Sequence, residues 1–470
     1  MTTLVPKFEQ PYSNTVNRAI NLKLQETVSV LDFGADPTGS SDSTSAFNNA
    51  LSSLTNGGIV FVPNGTYKTT ASIVVGINGV HLKGYGKQNT IIKPVGTFDA
   101  ISVHGTSFSS FADARSVTDL TIDGSNGCTG NGLSIINCAL RCYFADLYII
   151  NMRGGANSAT GCGMYISSSF DHNYDRIETR ANASYGIYVY EKQSGPDGVY
   201  EEVSFLIFHS CWAISNNSAG TQWNFAGGDT CSILECKPSQ GSIGLEFTRN
   251  CNSHKINSLF YDALSLGNGI AIQTDTNFCQ NLYINGVHTY QAQYGINIVD
   301  GQNIHCDNFD GAITKQVNIG SSATGAVFIG PNVSYTDNRS NQLTYPFDNY
   351  GTWSPAFNGS GSSLGNATLT NAYTLNGNAL TFQINLIVGS TTTIGAGAGF
   401  TLPFPTATGY TPITAYAYHV ATTTWYAFQA YVAGSALVFA YGNAYWGSTT
   451  PFTWATGDQM IVSGTYRINQ

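Results

Sequence analysis

Charge is what this chain has least of: Asp, Glu, Lys and Arg supply 10% of its 470 residues. The net charge of −9 is dispersed, so no basic patch exists to hold a phosphate backbone, which argues against nucleic acid as a ligand. No 18-residue apolar run and no charged-then-apolar leader is found, and a soluble protein without membrane insertion or secretion signal is expected. Cysteine is absent from both ends; all ten lie between Cys128 and Cys306. Neither Cys138 with Cys142 nor Cys231 with Cys236 has the matched second pair that a zinc site needs, and His-rich spacing and calcium loops are missing too. No metal and no cofactor is therefore expected. Singletons such as Cys251, Cys279 and Cys306, about one coil apart, read instead as small apolar residues stacked inside successive turns.

What the chain does have is glycine, 12% aromatic residues and regular alternation, the marks of a folded β-protein rather than a disordered one. Its organising stretch runs from Val30 to Lys68. There Asp42 stands as a helix N-cap, Ala46, Phe47, Ala50, Leu51 and Leu54 recur at helical spacing, and Asn56-Gly57-Gly58 stops the helix. The period then changes to two over Ile59 to Val62, with a turn at Pro63-Asn64-Gly65. Farther on, glycine followed by an apolar strand recurs at Gly132, Gly163, Gly186, Gly244, Gly269 and Gly295. The gaps are roughly 23 to 31 residues with one double gap, the signature of a stacked solenoid. On the first strand of each turn, alternation points Ser134, Tyr165, Tyr188, Glu246, Ala271 and Asn297 outward; on the second it points out Tyr148, Glu178, Asn257 and Tyr283. Rungs stack at about 4.8 Å, so these side chains form columns.

The string Asp32-Phe33-Gly34-Ala35, Gly39, Asp42, Thr44, Ala46, Phe47, Ala50, Gly58, Val60 to Pro63, Gly65 and Tyr67 resembles the pectate-lyase-like parallel β-helix family in the form found in bacteriophage tailspikes. Thr38 departs from it, standing where the family usually carries an aspartate. The resemblance implies an all-β chain: a right-handed single-stranded parallel β-helix with a short N-terminal capping helix, then a C-terminal antiparallel β-sandwich of jelly-roll type. Residues 1–30 would be the connector to the phage tail or an adaptor protein, 31–335 the β-helix, 336–350 a linker and 351–470 the sandwich. In that last segment Asp458 and Arg467 are the only charged residues, and Gly351-Thr352-Trp353-Ser354-Pro355 resembles the start of C-terminal domains in phage tail fibres. Its aromatics, Tyr416, Trp425 and Trp446 among them, read as core and subunit interface, with a secondary carbohydrate surface as the alternative. By the same resemblance the expected partners are a bacterial surface polysaccharide, capsule or O-antigen, and two further copies in a homotrimer on the virion.

Insertions at Asn157 to Gly161, Glu191 to Tyr200 and Asn216 to Gly228 flank the turns from Tyr165 to Asp262, where charge and aromatics also gather. Sugar rings stack on aromatic faces and their hydroxyls pair with polar groups. Tyr165, Tyr188, Tyr190 and Trp223 are thus predicted to hold substrate, with Arg180, Arg249 and His172 beside them. Glycoside hydrolysis needs two carboxyl groups, about 5–5.5 Å apart for retention or about 6.5–9.5 Å for inversion. We expect two of Glu178, Glu235 and Glu246, with Asp175 in reserve: Glu178 and Glu235 from comparable second strands, Glu246 from a first strand beside them. For each, the plain alternative is a solvated or ion-paired surface acid. A lyase is the rival, with Lys192, Arg180, Arg249, His254 or Tyr188 supplying base and charge neutralisation. A noncatalytic glycan-binding receptor is the third reading. Of the eight histidines, His172 and His254 are placed near this surface.

Overall fold

The recurring glycines are demanded by close packing. A Cβ on Gly132 would sit 2.2 Å from a methyl of Ile149, one on Gly186 2.4 Å from the Thr179 hydroxyl, and one on Gly295 2.6 Å from the Phe309 ring. At each of these corners, backbone lies directly against a core side chain of another limb of the coil, leaving no volume for a methyl.

A computed structural model describes residues 7–8, 15–16, 18–20, 23 and 27–468, apart from 108–109, 193–201, 218–219, 264–267, 276–278, 312–313, 331–332, 340–343, 347–349, 377–378, 407–409 and 443. Most of the N-terminal connector and most of the Glu191 to Tyr200 insertion lie outside the described residues. Two compact units divide the chain, Met1–Val327 with Asn332–Gln342, and Phe328–Pro331 with Leu343–Gln470.

In the first unit, one sheet of eleven parallel strands among the described residues runs from Ile73–Val75 to Tyr335–Asp337. The other limbs form a second long parallel assembly, and together these are the sheets of a β-helix. One turn reads Met164–Ser167, Asn173–Asp175 and Glu178–Arg180 before Ile187–Tyr190 returns beside Met164–Ser167. Each turn there has three straight runs where two were expected. The second limb bends at a left-handed residue, at successive levels Asp146, Arg176, Ser210, Glu235 and Ser258. All ten cysteines are buried, as their spacing suggested. The double gap is filled by Thr221–Asp229, where Gln222 replaces the glycine and its buried amide ties down the Asn216 backbone at 2.6 and 2.8 Å. Ile270 and Ile272 pair with Ile243 and Leu245, so Ala271 and not Gly269 stands at the level of Gly244; Ala271 is buried and Gln273 faces outward in register with Glu246, against expectation.

The helix of the organising stretch spans Thr44–Ser53, burying Ala46, Phe47, Ala50 and Leu51. Ser43 is the cap residue and makes no side-chain cap bond; Asp42, one position earlier, accepts the Thr44 N–H at 3.1 Å. In the segment read as a linker, Arg339 and Asp337 form a buried ion pair at 2.8 Å, and Arg339 also donates to the Gly325 carbonyl.

Among the described residues the second unit is one curled antiparallel sheet of ten strands, nine on a continuous hydrogen-bonded path and the tenth, Ala444–Tyr445, paired beside Ala436–Tyr441; the expected two-layer sandwich is thus a single sheet folded over its core. Leu380, Phe382, Ile384 and Leu386 alternate inward along Ala379–Ile387. Trp446 is fully buried, whereas Tyr416 and Trp425 are exposed.

Candidate active site

Three successive rungs build the site. Strand Asn173–Asp175 is followed by the bend at Arg176 (φ 51°), and the wall resumes at Glu178. One rung on, His209 stands in register with Asp175 and Trp212 with Glu178, with Ser210 at the bend. Two rungs on, Lys237 follows Trp212 and the bend residue is Glu235 (φ 53°). Beneath them Tyr174, Phe208, Ile233, Ile177 and Ala213 are wholly buried, so alternation fixes the polar residues on the outside. Glu235 is therefore a corner residue rather than the expected strand residue.

These side chains border an open cavity of about 420 Å³ whose lining includes Lys87, Arg176, Glu178, Ser210, Trp212 and Glu235. Trp212 keeps 44% of its surface exposed there. Asp175 is the hub of the polar groups: its Oδ1 lies 2.8 Å from Nδ1 of His209, and its Oδ2 accepts from Arg176. On the other side of the imidazole, Nε2 of His209 is 3.6 Å from Oε2 of Glu235. The Arg176 guanidinium also forks onto Asp146 at 3.0 and 2.7 Å, which holds the Asp146 carboxyl below its usual range. Two carboxylates thus occupy Arg176, while the Lys87 ammonium donates to the Arg176 carbonyl at 3.1 Å from the cavity wall.

Glu178 and Glu235 are brought to one cavity, with Asp175 adjoining through His209. Glu246 is not beside them: it lies in the eleven-stranded sheet, in the column Tyr165, Tyr188, Asn224, Glu246, Gln273, Asn297. There its carboxylate accepts from Thr221 at 2.9 Å, Asn224 at 3.1 Å and Gln273 at 3.1 Å. Tyr165 and Tyr188 are neighbours in that column, ring centres 5.7 Å apart, with Tyr185 and Tyr190 packed on Tyr188. Arg249 lies 4.9 Å over the Tyr190 ring. Burial pushes the Tyr185 phenol up to about 12, helped by the charge on Glu246, and burial likewise raises Tyr165 and Tyr188. Arg180 is exposed on the same run as Glu178.

Two predicted ligand contacts are core residues. Trp223 is fully buried because it pairs with Ile187 and Leu245, which face inward; placing the missing rung in the sequence would have revealed this. His172 is likewise buried, its Nδ1 3.3 Å from the Tyr174 hydroxyl and its ring against Phe144. His254 is buried between Phe225 and Phe247, and is removed as a base. The residues that sequence reasoning missed are His209, Trp212 and Lys87. Of these, Phe208-His209-Ser210-Cys211-Trp212 carried a legible signal: a buried-cysteine phrase flanked by a histidine and a tryptophan two and one positions away.

Residues 27–126 match the family described as rhamnogalacturonase A/epimerase, pectate lyase-like. That segment is pectate-lyase-like. The tail spike protein of Shigella phage Sf6 is 30% identical over 128 residues, 26% of this chain and 20% of the relative, so the match spans about one fifth of that protein. Among solved structures, the Dettilon tailspike protein superposes with a TM-score of 0.53 at 11% identity over 96% of both chains. The enzymatically active domain of bacteriophage CBA120 tailspike protein 2 gives 0.50 at 12% identity, over 93% of this chain and 73% of that one. These likenesses concern the scaffold. The pectate-lyase-like segment ends before Asp175, and of the cavity residues named above it contains only Lys87.

Proposed function

We propose that this chain is a phage tailspike that binds and cleaves a bacterial surface polysaccharide by endo-hydrolysis, with Glu178 and Glu235 as the carboxyl pair. The observation carrying this reading is that two acids from alternate rungs border one cavity beside an exposed tryptophan. Their rungs are two steps apart, roughly 9.5 Å of backbone spacing, which favours inversion over retention. Glu235 protonates the departing glycosidic oxygen, and Glu178 removes a proton from the water that attacks the opposite face of the sugar. With Nδ1–H donated to Asp175, His209 takes a proton from solvent at Nε2 and passes it to Glu235 after each cycle, while Glu178 gives up to solvent the proton it took from the attacking water. Trp212 supplies an apolar surface for a sugar ring. Tyr165, Tyr188, Tyr190 and Arg249, on the other sheet, take part in no step of cleavage.

The remaining assignments belong to the same reading. The coil is right-handed, residues 1–30 attach the protein to the tail, 31–335 carry the groove, and 351–470 help to hold a homotrimer that acts at the host surface. The test is incubation with purified capsule or O-antigen polysaccharides. New reducing ends that disappear in Glu178→Gln and Glu235→Gln support the proposal; full activity in both variants removes it. Elimination on a uronic acid is the second reading, favoured by the Lys87 ammonium at the cavity wall, and ultraviolet absorbance from an unsaturated product would establish it.

A further inference from the structure

The column through Glu178 does not end at Lys237. The Lys237 ammonium lies 5.8 Å from the Trp212 ring centre and 4.8 Å from that of Phe260, so it bridges the two rings along the wall. Phe260 is in register with His288, and His288 with Asp310. Phe260 and His288 stack at 5.1 Å with 20° between their planes, and Nδ1 of His288 is 2.7 Å from Oδ1 of Asp310. Beside these three a second cavity opens, about 260 Å³, where the bends Ser258, Gly286 and Asn308 continue the line of Arg176, Ser210 and Glu235. Glu178, Trp212, Lys237, Phe260, His288 and Asp310 are thus successive steps of one furrow, five rung spacings or roughly 24 Å long.

A furrow of that length with one reactive pair at one end has more surface than a single glycosidic bond can use. Its far end also has the mixed character that sugars require. Phe260 and Leu259 give it an apolar floor. The side chains of His288 and Asp310 are 59% and 62% exposed, and they present a polar edge to hydroxyl groups. We propose that Phe260, His288 and Asp310 form a distal subsite for a hydroxyl-rich saccharide unit, several residues along the same glycan chain from the bond cleaved at Glu178 and Glu235. The proposal rests on the glycan-cleaving reading of the first cavity, and it makes that enzyme dependent on chain length. Short fragments reach one cavity; long ones span both.

The probe is an array of bacterial capsule and O-antigen fragments graded by length, bound by full-length Glu235→Gln protein so that nothing is consumed. Adding Phe260→Ala or His288→Ala to that background should weaken binding of the longest fragments at least tenfold and leave the shortest bound ones unchanged. Equal loss at every length, no loss at any length, or no binding of any fragment overturns the subsite. Should Phe260→Ala unfold, the exposed His288→Ala carries the test. Full turnover in Glu178→Gln and Glu235→Gln, together with a length-dependent loss in the His288 variant, would sink the catalytic assignment and leave the subsite standing.

Discussion

The two walls of the first unit use the same residue types to opposite effect. On the eleven-stranded sheet, Glu246, Gln273, Asn297 and Asn318 repeat like with like, and each amide bonds the next rung: Gln273 to Glu246 at 3.1 Å, Asn297 to Gln273 at 3.3 Å, Asn318 to Asn297 at 2.7 Å. Polar groups there satisfy one another, which is how a parallel coil stacks identical side chains without cost. Along the furrow every step differs: acid, tryptophan, lysine, phenylalanine, histidine, acid. A column that changes character at each level gains little from stacking. It leaves acids and an imidazole facing a cavity, and that irregularity is what the proposed function puts to use.

The sharpest test of this difference exchanges acid for amide on each wall. Glu235→Gln should lower kcat about 10³-fold, the usual scale of a lost general acid, with folding intact. Glu246→Gln should leave kcat within a factor of about two. It should instead cost about 1–2 kcal/mol of stability, because an amide cannot accept from Thr221, Asn224 and Gln273 together. Turnover and denaturant midpoints on both proteins check the pair; a Glu246 variant crippled in rate but not in stability would erase the distinction between the walls.

A second contrast of the same kind separates the histidines. His209 lies on the furrow, whereas His254 is fully buried, accepts the Cys231 N–H at Nδ1, and has its pKa held down to about 4 by burial. Below its ordinary value near 6.5, the unfolded chain binds a proton at this residue that the folded chain refuses. Folding stability therefore falls as pH drops from about 6.5 to 4, by on the order of 3 kcal/mol from this group. His254→Asn, which keeps an acceptor for the Cys231 N–H, should remove that component. Chemical denaturation at pH 7 and pH 4.5 would show a smaller pH loss in the variant, despite a lower starting stability; an identical loss in both proteins would refute the assignment.

Smaller still is the effect expected within the amide ladder. Asn297→Ala removes one link between Gln273 and Asn318 and should cost about 1 kcal/mol, with substrate cleavage unchanged. Thermal unfolding with a parallel activity assay measures both quantities, and a loss of cleavage would place this wall in the machinery after all.

How far the sequence reached follows from what repeats. Glycine-led strands, interior cysteines and the outward set Ser134, Tyr165, Tyr188, Glu246 and Asn297 were legible because packing forces each at every turn. The bend within the second limb was not, because its residues, Asp146, Arg176, Ser210, Glu235 and Ser258, share a backbone conformation and no side-chain type. Missing that bend, a sequence reading counts two runs per turn, aligns Glu235 with Glu178, and sets Glu246 beside them. Trp223 misled for a related reason: Gln222 hid a rung by replacing its glycine, so the inward register of the tryptophan could not be counted.

The last and smallest test returns to that bend. Glu235 holds φ at 53°, a left-handed conformation that costs an ordinary side chain about 1 kcal/mol or more and glycine almost nothing. Glycine also loses more freedom on folding, by roughly 0.5–1 kcal/mol, so Glu235→Gly should stabilise the protein by a few tenths up to about 1 kcal/mol. Glu235→Gln keeps the Cβ and should show no such gain, although both variants lack the carboxyl and lose cleavage alike. On the opposite wall no gain is open to Glu246→Gly, whose strand backbone is extended and whose three hydrogen bonds would vanish. Glu235, like Asp146, Arg176, Ser210 and Ser258 at the other bends, holds a conformation that glycine would occupy more comfortably, and its carboxyl is the group that the proposed function puts to use there. Unfolding midpoints of the glycine and glutamine variants decide the matter: if Glu235→Gly is no more stable than Glu235→Gln, the corner carries no strain and this argument for a working acid at residue 235 fails.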